Sequence, residues 1–293
     1  MALSAADVDL DITPLSATIG AEIRGVDLKQ PLRDDLVGEL RGALLRHKVI
    51  FFPGQHLAPA EHVSFARYFG TLTPAHPVIP GIDGFPEIFE IDYTKAAKVT
   101  GGDVGDRYDG LSWHTDVTFV ESPPLGSILN AVVIPAAGGD TQFSDQRAAY
   151  DGLSETLRAF LDRLVAVHDG SRAFGQILAK RKRGSNWDGK EYETLEPVEH
   201  PVIRTHPETG KKSLFVNPGF TSHIKGLARA ESDALLRFLY DHSVKPQYTV
   251  RYHWHAGDLG FWDNRVTQHS VVGDFAGQHR VIQRITLRGD KPA

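Results

Sequence analysis

Short segments with strand character follow one another along the second half of the chain, and they limit the possible folds more than any other feature. From Gly126 onward, β-branched and aromatic residues recur in runs that end at Gly, Pro, Asn or Asp, as expected for strands joined by turns. The segments are residues 127–134, 164–169, 201–206, 213–217, 248–254, 259–264 and 281–288. Helical spacing of apolar residues is confined to 33–47, 59–70 and stretches around 154–164 and 230–242. This order predicts a mainly β protein with peripheral helices, in which sheets pack on each other as in a sandwich or jelly roll.

Length and composition narrow the class of protein further. A chain of 293 residues can form one β domain, so we expect a single domain over residues 1–293. The formal net charge of −5 argues against nucleic acid or an anionic membrane as a partner. The absence of Cys excludes disulfides and thiolate chemistry, and no glycine-rich phosphate motif opens a helix. No segment resembles a signal peptide or a membrane span, and we expect a cytoplasmic protein that forms a homo-oligomer.

A His-x-Asp motif, His114 and Asp116, is the strongest local indication of chemistry. Residues at i and i+2 of an extended strand project from the same face, so an imidazole nitrogen and a carboxylate oxygen can bind one ion. Such a pair is common by chance, and it indicates a metal site only when a third ligand lies elsewhere in the chain. Two imidazoles and one carboxylate on one face of an octahedron are typical of non-haem Fe(II) oxygenases, which keep the remaining coordination positions open.

The third ligand must be chosen from a sequence with 14 His residues. His269 follows a predicted strand, whereas His253 and His255 form another same-face pair that could bind a metal. Gly257 stands where that second pair would need a carboxylate. We therefore favour His269 as the ligand and interpret His253 and His255 as histidines on the surface of a strand.

The last predicted strand carries two arginines. Arg280, Ile282, Arg284 and Thr286 alternate along it and share one face. If that face is buried, each guanidinium requires an anionic partner, because an unpaired buried charge is unfavourable. Arg binds carboxylate and sulfonate groups through two parallel hydrogen bonds. The alternative is an edge strand whose arginines face solvent.

Six motifs together resemble the taurine dioxygenase family of 2-oxoglutarate-dependent enzymes, in the order and near the spacing of that family. They are WHTDVTF (113–119), GGDTQF (138–143), RTHPETG (204–210), FVNPGFT (215–221), WDNRVTQH (262–269) and HR-x3-R (279–284). The resemblance extends over most of the chain. It implies a double-stranded β-helix, or jelly roll, with Fe(II) as the metal and 2-oxoglutarate and O2 as co-substrates. It implies that His114, Asp116 and His269 are the Fe(II) ligands.

The same resemblance implies how the organic molecules bind. Thr141 and Arg280 would hold the distal carboxylate of 2-oxoglutarate, and Arg284 would hold the sulfonate of the substrate. His76, Phe174 and Phe220 match family positions that contact the substrate. Read without the resemblance, the two Phe residues are more typical of a hydrophobic core.

Two positions depart from the taurine-specific pattern. Residue 110 is Gly where the taurine-specific enzyme has Asn, and residue 79 is Ile where it has Tyr. Gly110 and Ile79 offer no side-chain hydrogen bond to a small zwitterion, and a site built on such bonds discriminates strongly. The substrate is therefore expected to be a small anion, either taurine or another alkyl sulfonate or sulfate ester, whose oxidation releases sulfite or sulfate.

Three other functions remain open at this point. The same oxygenase chemistry could act on a carboxylic acid. A zinc-dependent hydrolase could use the same three ligands with an activated water, although it would give Arg280 no role and the sequence lacks a helical H-E-x-x-H. A jelly-roll binding protein without catalytic activity is the third alternative.

Overall fold

A computed structural model describes residues 10–93, 113–171, 173–175, 194–275 and 277–293, and the backbone alone of 185–187 and 190–192. The described chain is mainly β, with helices at the periphery, as predicted. The helices are α1 (Asp34–His47), α2 (Pro59–Arg67), α3 (Gln146–Asp151), α4 (Glu155–Leu161) and α5 (Arg229–Ser243), with a 3-10 turn at Pro246–Tyr248. The strands are β1 (Asp11–Pro14), β2 (Ala21–Arg24), β3 (Val49–Phe52), β4 (Phe89–Asp92), β5 (Gly126–Val133), β6 (Thr141–Asp145), β7 (Val165–His168), β8 (Ser185–Trp187), β9 (Lys190–Tyr192), β10 (Val198–Pro201), β11 (Ile203–Thr205), β12 (Lys212–Leu214), β13 (Thr221–Ile224), β14 (Thr249–Tyr252), β15 (Leu259–Asp263), β16 (Thr267–Val271) and β17 (Val281–Leu287).

The main sheet has seven strands in the order β1-β2-β3-β15-β5-β17-β4. Its pairs are antiparallel apart from β2 and β3, which run parallel. β17 lies between β5 and β4 and is buried along its whole length. The arginines of β17 therefore do not lie on a solvent-facing edge strand, and the interpretation of a buried face is confirmed.

A second sheet has the order β14-β6-β16, and two of its strands were not predicted from the sequence. β6 reads TQFSD and β16 reads TQHSV, so neither carries the apolar alternation that identifies a half-buried strand. Both are nevertheless almost entirely buried. Alternation directs one set of these side chains, which includes His269, toward the candidate site described below and the other set, which includes Gln268, to the opposite side of the sheet.

The two faces of the main sheet pack against different partners. Ile50, Phe261 and Ile285 lie in one apolar cluster with residues of α1 and α2. Val49 and Trp262, which are the sequence neighbours of Ile50 and Phe261, lie in a second cluster with residues of β6 and β14. The alternation of side chains along each strand therefore places the helices on one face and the second sheet on the other. No helix in the described part of the chain has the length and apolar character required to cross a membrane.

The turn between β15 and β16 is held by a buried ion-pair network around Asp263. Arg265 donates to both carboxylate oxygens of Asp263, from Nε at 2.8 Å and from Nη2 at 2.7 Å, and His206 Nε2 lies 3.0 Å from Asp263 Oδ2. Arg265 also bonds Glu208, which in turn bonds Arg41 of α1. Burial would raise the pKa of Asp263, but Arg265 and His206 outweigh that effect and hold it below its ordinary value.

Replacing Asp263 by Asn should destabilise the fold by about 3–5 kcal/mol, because the buried Arg265 guanidinium loses its charged partner. Because the folded-state pKa is depressed, this contribution is present above the unfolded pKa of about 4 and disappears as the pH falls below it. Urea denaturation of the variant and the wild type at several pH values measures the effect. Asp233→Asn is the matched control, since Asp233 forms an exposed i,i+4 pair with Arg229 that should contribute less than about 0.5 kcal/mol. Equal losses in the two variants would contradict the assignment.

Candidate active site

The candidate site lies where two distant segments of the chain meet at a single β-bridge. His114 N donates to His269 O at 3.0 Å, and His269 N donates to His114 O at 2.8 Å. Asp116 lies two residues after His114 at the start of a turn, and Val117 follows with φ of 55°. The prediction of a continuous strand through the His-x-Asp motif is therefore wrong, but the turn still directs both side chains to the same place.

The side chains of His114, Asp116 and His269 converge as predicted. Their potential ligand atoms all lie within 4.8 Å of one another. Asp116 Oδ1 is 3.7 Å from His114 Nε2 and 3.9 Å from His269 Nε2. Two imidazole nitrogens and one carboxylate oxygen in this arrangement suit a mononuclear non-haem Fe(II) centre. This is the one such cluster among the residues that the structure describes.

The alternative ligands His253 and His255 lie elsewhere. They follow the end of β14, and their side chains are 52% and 75% exposed. His253 Nδ1 is 2.7 Å from Asp140 Oδ1, and His255 is 3.6 Å from Asp258 Oδ2. Their interpretation as surface histidines is confirmed.

A chain of hydrogen bonds fixes one oxygen of the Asp116 carboxylate. Ser127 donates to Asp116 Oδ2 at 2.6 Å, Asn264 Nδ2 donates to Ser127 Oγ at 2.8 Å, and Trp262 Nε1 donates to Asn264 Oδ1 at 2.9 Å. The Trp262 ring also lies 4.8 Å from the ring of His269, between centroids, so its indole packs beside the metal ligands. Bonds of this kind to a ligand carboxylate set its orientation.

The titration of the ligands favours the forms that bind a metal. Burial by itself would raise the pKa of Asp116. Arg284, His269, His114 and Ser127 lower it by a larger amount, so the pKa lies below its ordinary value. Burial, His114 and Arg284 lower the pKa of His269 to about 3, against the opposing effect of Asp116. An ionised carboxylate and a neutral imidazole are the forms that coordinate metals.

Arg280 is fully buried and lacks acceptors for two of its donors. Its Nε donates to Gly139 O at 3.2 Å, while Nη1 and Nη2 have no hydrogen-bond partner among the residues that the structure describes. The guanidinium lies 5.0 Å from the ring centroid of Tyr93 and 5.5 Å from that of Phe275. Two parallel unpaired N–H groups on a buried cation suit a carboxylate bound through both oxygens. The distal carboxylate of 2-oxoglutarate has this chemistry.

Thr141 lies two residues after Gly139, at the start of β6. Its Oγ1 accepts a hydrogen bond from Trp254 Nε1 at 2.9 Å. Because a hydroxyl can both accept and donate, the Thr141 proton remains able to reach an anion. Thr141 thus lies two residues from Gly139, whose carbonyl accepts the hydrogen bond from Arg280.

Arg284 lies against the metal-ligand group. Its Nη1 donates to Asp116 Oδ1, and its guanidinium carbon is 5.2 Å from the ring centroid of Phe89, its cross-strand neighbour in β4. The residue is 7% exposed, and within the described part of the chain its Nε has no hydrogen-bond partner. The anionic partner that a buried Arg284 requires is therefore Asp116, which is itself a candidate metal ligand.

Aromatic side chains extend from Arg284 past the metal ligands. Ring centroids of His76 and Phe174 are 4.6 Å apart, those of Phe174 and Phe220 are 6.2 Å apart, and Phe220 is 6.0 Å from His114. The predicted substrate residues therefore lie together beside the candidate metal site. Ile79 packs partly buried in the same apolar cluster, whereas Gly110 lies outside the described residues.

The imidazole of His76 is held by the backbone on one side. Val78 N and Ile79 N donate to His76 Nδ1 at 3.0 and 3.3 Å. These two contacts fix the orientation of the imidazole beside the aromatic side chains.

Four residues of the site were not identified from the sequence. Phe119 lies 4.8 Å from Phe220 between ring centroids and belongs to the WHTDVTF motif, from which it could have been found. Ser127 is one serine in an apolar strand, and its role appears only when Asp116 is seen beside it. Tyr93 and Phe275 flank Arg280 from separate loops, so local sequence gives no reason to associate them.

A separate cleft of about 500 Å³ lies on the other side of the His114–His269 bridge. Trp113 and Gln268, the residues preceding these histidines, line it together with residues of α5. Successive side chains on extended backbone project to opposite faces, so this cleft faces away from the three candidate ligands.

The mainly β fold and the cluster of two histidines and one carboxylate define a mononuclear non-haem iron protein. The chain belongs to the TauD, TfdA family of taurine catabolism dioxygenases, because residues 11–286 match that family. It is accordingly a 2-oxoglutarate-dependent dioxygenase that uses Fe(II), 2-oxoglutarate and O2.

Three similar proteins illustrate the family. The chain is 41% identical over 292 residues to the α-ketoglutarate-dependent sulfate ester dioxygenase of Pseudomonas putida, covering 97% of this chain and 91% of that one. It is 40% identical over 290 residues to the alkylsulfatase of Acinetobacter baylyi, covering 96% and 86% of the two chains. A crystal structure of a taurine dioxygenase from Burkholderia xenovorans superimposes with a TM-score of 0.78 at 39% identity, covering 97% and 92%. These similarities support the interpretation of the site as that of an oxygenase. They argue against the zinc-dependent hydrolase and against the binding protein without catalytic activity.

His269→Ala should abolish high-affinity binding of a divalent metal to the purified protein, because only two ligands of the cluster remain. Titration with Mn(II), followed by electron paramagnetic resonance, measures binding without any need for turnover. His255→Ala is the matched control, since that side chain is largely exposed, and it should bind Mn(II) like the wild type. The reverse result would show that the third ligand has been assigned to the wrong histidine.

Proposed function

We propose that the chain hydroxylates the carbon that bears the sulfate group of an alkyl sulfate ester. The observation that carries this proposal is the buried Arg284 beside the candidate metal ligands, whose guanidinium packs on the ring of Phe89, together with the apolar aromatic surface that lies next to His114. A guanidinium in such surroundings suits an anionic head group, and the surface next to it suits a hydrocarbon chain.

Each binding role follows from a side chain already described. His114, Asp116 and His269 would hold Fe(II), and Arg280 with Thr141 would hold the distal carboxylate of 2-oxoglutarate. The bound iron and 2-oxoglutarate supply the oxidant for the C–H bond and yield succinate and CO2. The protein groups around them bind the substrate and limit the entry of water.

Charge balance favours a substrate with one negative charge. Arg280 and Arg284 bring two positive charges to the site and Asp116 brings one negative charge. A divalent metal and the 2-oxoglutarate dianion offset each other, which leaves one positive charge. A monoanion makes the assembly neutral, and a neutral assembly is favoured where charges are removed from water. Taurine, a zwitterion with an added ammonium group, leaves the positive charge uncompensated.

The apolar surface argues for a longer and less polar substrate than taurine. Phe119, Phe174 and Phe220 form it together with Val78 and Ile79. An ammonium group placed there would lose its hydration without gaining a hydrogen-bond acceptor, whereas each buried methylene of an alkyl chain contributes about 0.8 kcal/mol. The two sulfate-ester relatives described above are consistent with this substrate class.

Hydroxylation at the carbon bearing the sulfate would lead to cleavage of the ester. The new C–OH and the C–O bond to sulfur share one carbon, so loss of the hydroxyl proton and departure of sulfate give an aldehyde and free sulfate. Arg284 would hold the sulfate oxygens during this step, with His76 near the polar end of the substrate. An alkyl sulfonate bound in the same way would release sulfite.

We propose further that the two sheets form the double-stranded β-helix of a single domain spanning residues 1–293. The facing arrangement of the main and second sheets, with the candidate site between them, supports that description. The chain is proposed to act in the cytoplasm as a homo-oligomer on a small-molecule anion, without nucleic acid or membrane as a partner. Light scattering coupled to size-exclusion chromatography tests the oligomeric state.

The substrate proposal predicts that hexyl sulfate is a better substrate than taurine, by about tenfold or more in kcat/KM, since several buried methylenes each contribute about 0.8 kcal/mol. Sulfate release and succinate formation are measured together for hexyl sulfate, hexane sulfonate, hexanoate, taurine and neutral hexanol. Hexanol should give no product, because it leaves Arg284 without an anion. Taurine as the best substrate would disprove the proposed class, and hexanoate as the best would favour a carboxylic acid.

Arg280→Ala should raise the 2-oxoglutarate concentration needed for half-maximal activity by some hundreds to thousands-fold, because a buried carboxylate losing its charged partner costs about 3–5 kcal/mol. The KM for hexyl sulfate should change much less. Arg251→Ala is the matched control, since Arg251 is half-exposed and bonds Asp140 in the neighbouring loop segment. An unchanged requirement for 2-oxoglutarate in Arg280→Ala would show that this residue is not the anchor.

A further inference from the structure

The two oxygens of the Asp116 carboxylate have different surroundings. Oδ2 accepts from Ser127, which is itself held by Asn264. Oδ1 faces both His114 and His269 and also accepts from Arg284 Nη1. The oxygen that is directed at the candidate metal position is therefore the same oxygen that Arg284 binds.

Among the residues that the structure describes, Asp116 is the one acidic partner of Arg284 within hydrogen-bond distance. The guanidinium also packs on the face of Phe89, and in the same described residues its Nε has no acceptor. A guanidinium displaced from Asp116 would thus be a buried, unpaired charge until an anion reached it, which is unfavourable.

We propose that Arg284 couples metal binding to anion binding through Asp116. A divalent metal and Arg284 compete for Oδ1, so metal binding releases the guanidinium. The released guanidinium then binds the anionic head group of the substrate. Each ligand accordingly strengthens the binding of the other. This inference rests on the proposed function, because it takes the substrate to be an anion held by Arg284.

Thermodynamic linkage makes the coupling measurable from either side. If the anion raises the affinity for the metal by some factor, the metal must raise the affinity for the anion by the same factor. Couplings of this kind are typically about 5- to 150-fold. Removing the Arg284 charge should also strengthen metal binding in the absence of any anion, because the competitor for Oδ1 is lost.

The experiment uses the full chain without O2 and without 2-oxoglutarate. Mn(II) is titrated by electron paramagnetic resonance with and without saturating hexyl sulfate, and hexyl sulfate is titrated by calorimetry with and without saturating Mn(II). Hexanol and an equal concentration of chloride are the controls for the alkyl chain and for ionic strength. For the wild type we expect the two affinity ratios to agree, at about tenfold within the range above.

Variants at position 284 test whether the guanidinium carries the coupling. Arg284→Gln should bind Mn(II) more tightly than the wild type without hexyl sulfate, and its affinity should no longer respond to hexyl sulfate. Arg284→Lys, which keeps the charge, should retain part of the response, and Arg251→Gln, which removes a cation outside the site, should behave like the wild type. Circular dichroism establishes that each variant is folded.

Two outcomes would overturn the proposal. Coupling that persists in Arg284→Gln would mean that the anion binds the metal directly, and wild-type affinities that do not respond to the second ligand would mean that the two sites are independent. Sulfate release from hexyl sulfate without coupling would reject the coupling and leave the proposed function intact. Coupling without sulfate release in the complete reaction mixture would support the coupling and reject the proposed reaction.

Discussion

The Asp116 carboxylate is buried where the main sheet and the second sheet meet, and a buried anion must be compensated by charges and donors from its surroundings. The main sheet supplies Ser127 from β5 and Arg284 from β17, whereas the second sheet supplies His269 from β16. The compensation of one carboxylate therefore connects both sheets. The turn after His114 contributes to this connection, because it directs Asp116 toward the buried site instead of continuing the strand.

Two buried arginines, Arg280 just before β17 and Arg284 within it, indicate that the site is assembled for ligands more than for stability. Among the described residues, Arg280 Nη1 and Nη2 and Arg284 Nε have no acceptors. Each such donor is unfavourable in the free protein, and a fold selected only for stability would replace these residues with apolar ones. Anions that complete their hydrogen bonds would account for both residues. Arg265 differs from them, because its donors are met by Asp263 and Glu208.

The class of fold and the ligand set could be predicted from the sequence, whereas the pairing of side chains across the site could not. Apolar alternation identified β5, β15 and β17 because these strands are packed, but it failed for β6 and β16, whose polar residues line the site. His269 was chosen because it follows a predicted strand and because Gly257 stands where His253 and His255 would need a carboxylate, and the order of the motifs agreed with that choice. Ser127 has no pattern that marks it, because its role depends on which strands become neighbours. The contact between Arg284 and Asp116 joins positions 168 residues apart, and alternation along β17 indicated only that Arg284 needed an anion.

Recognition of a substrate in this site would be divided between charge and shape. Arg284 can distinguish an anion from a neutral molecule, but one guanidinium does not strongly separate sulfate from sulfonate, because both present three oxygens around sulfur. Discrimination between these groups depends on the position of the carbon to be oxidised, which in a sulfate ester lies one oxygen further from sulfur. The rings of Phe174 and Phe220 lie beside His114, so in the proposed complex they would hold the hydrocarbon part and determine which carbon reaches the metal. The aromatic surface would therefore set both the length of the substrate and the bond that is attacked, while Arg284 would set only the sign of its charge.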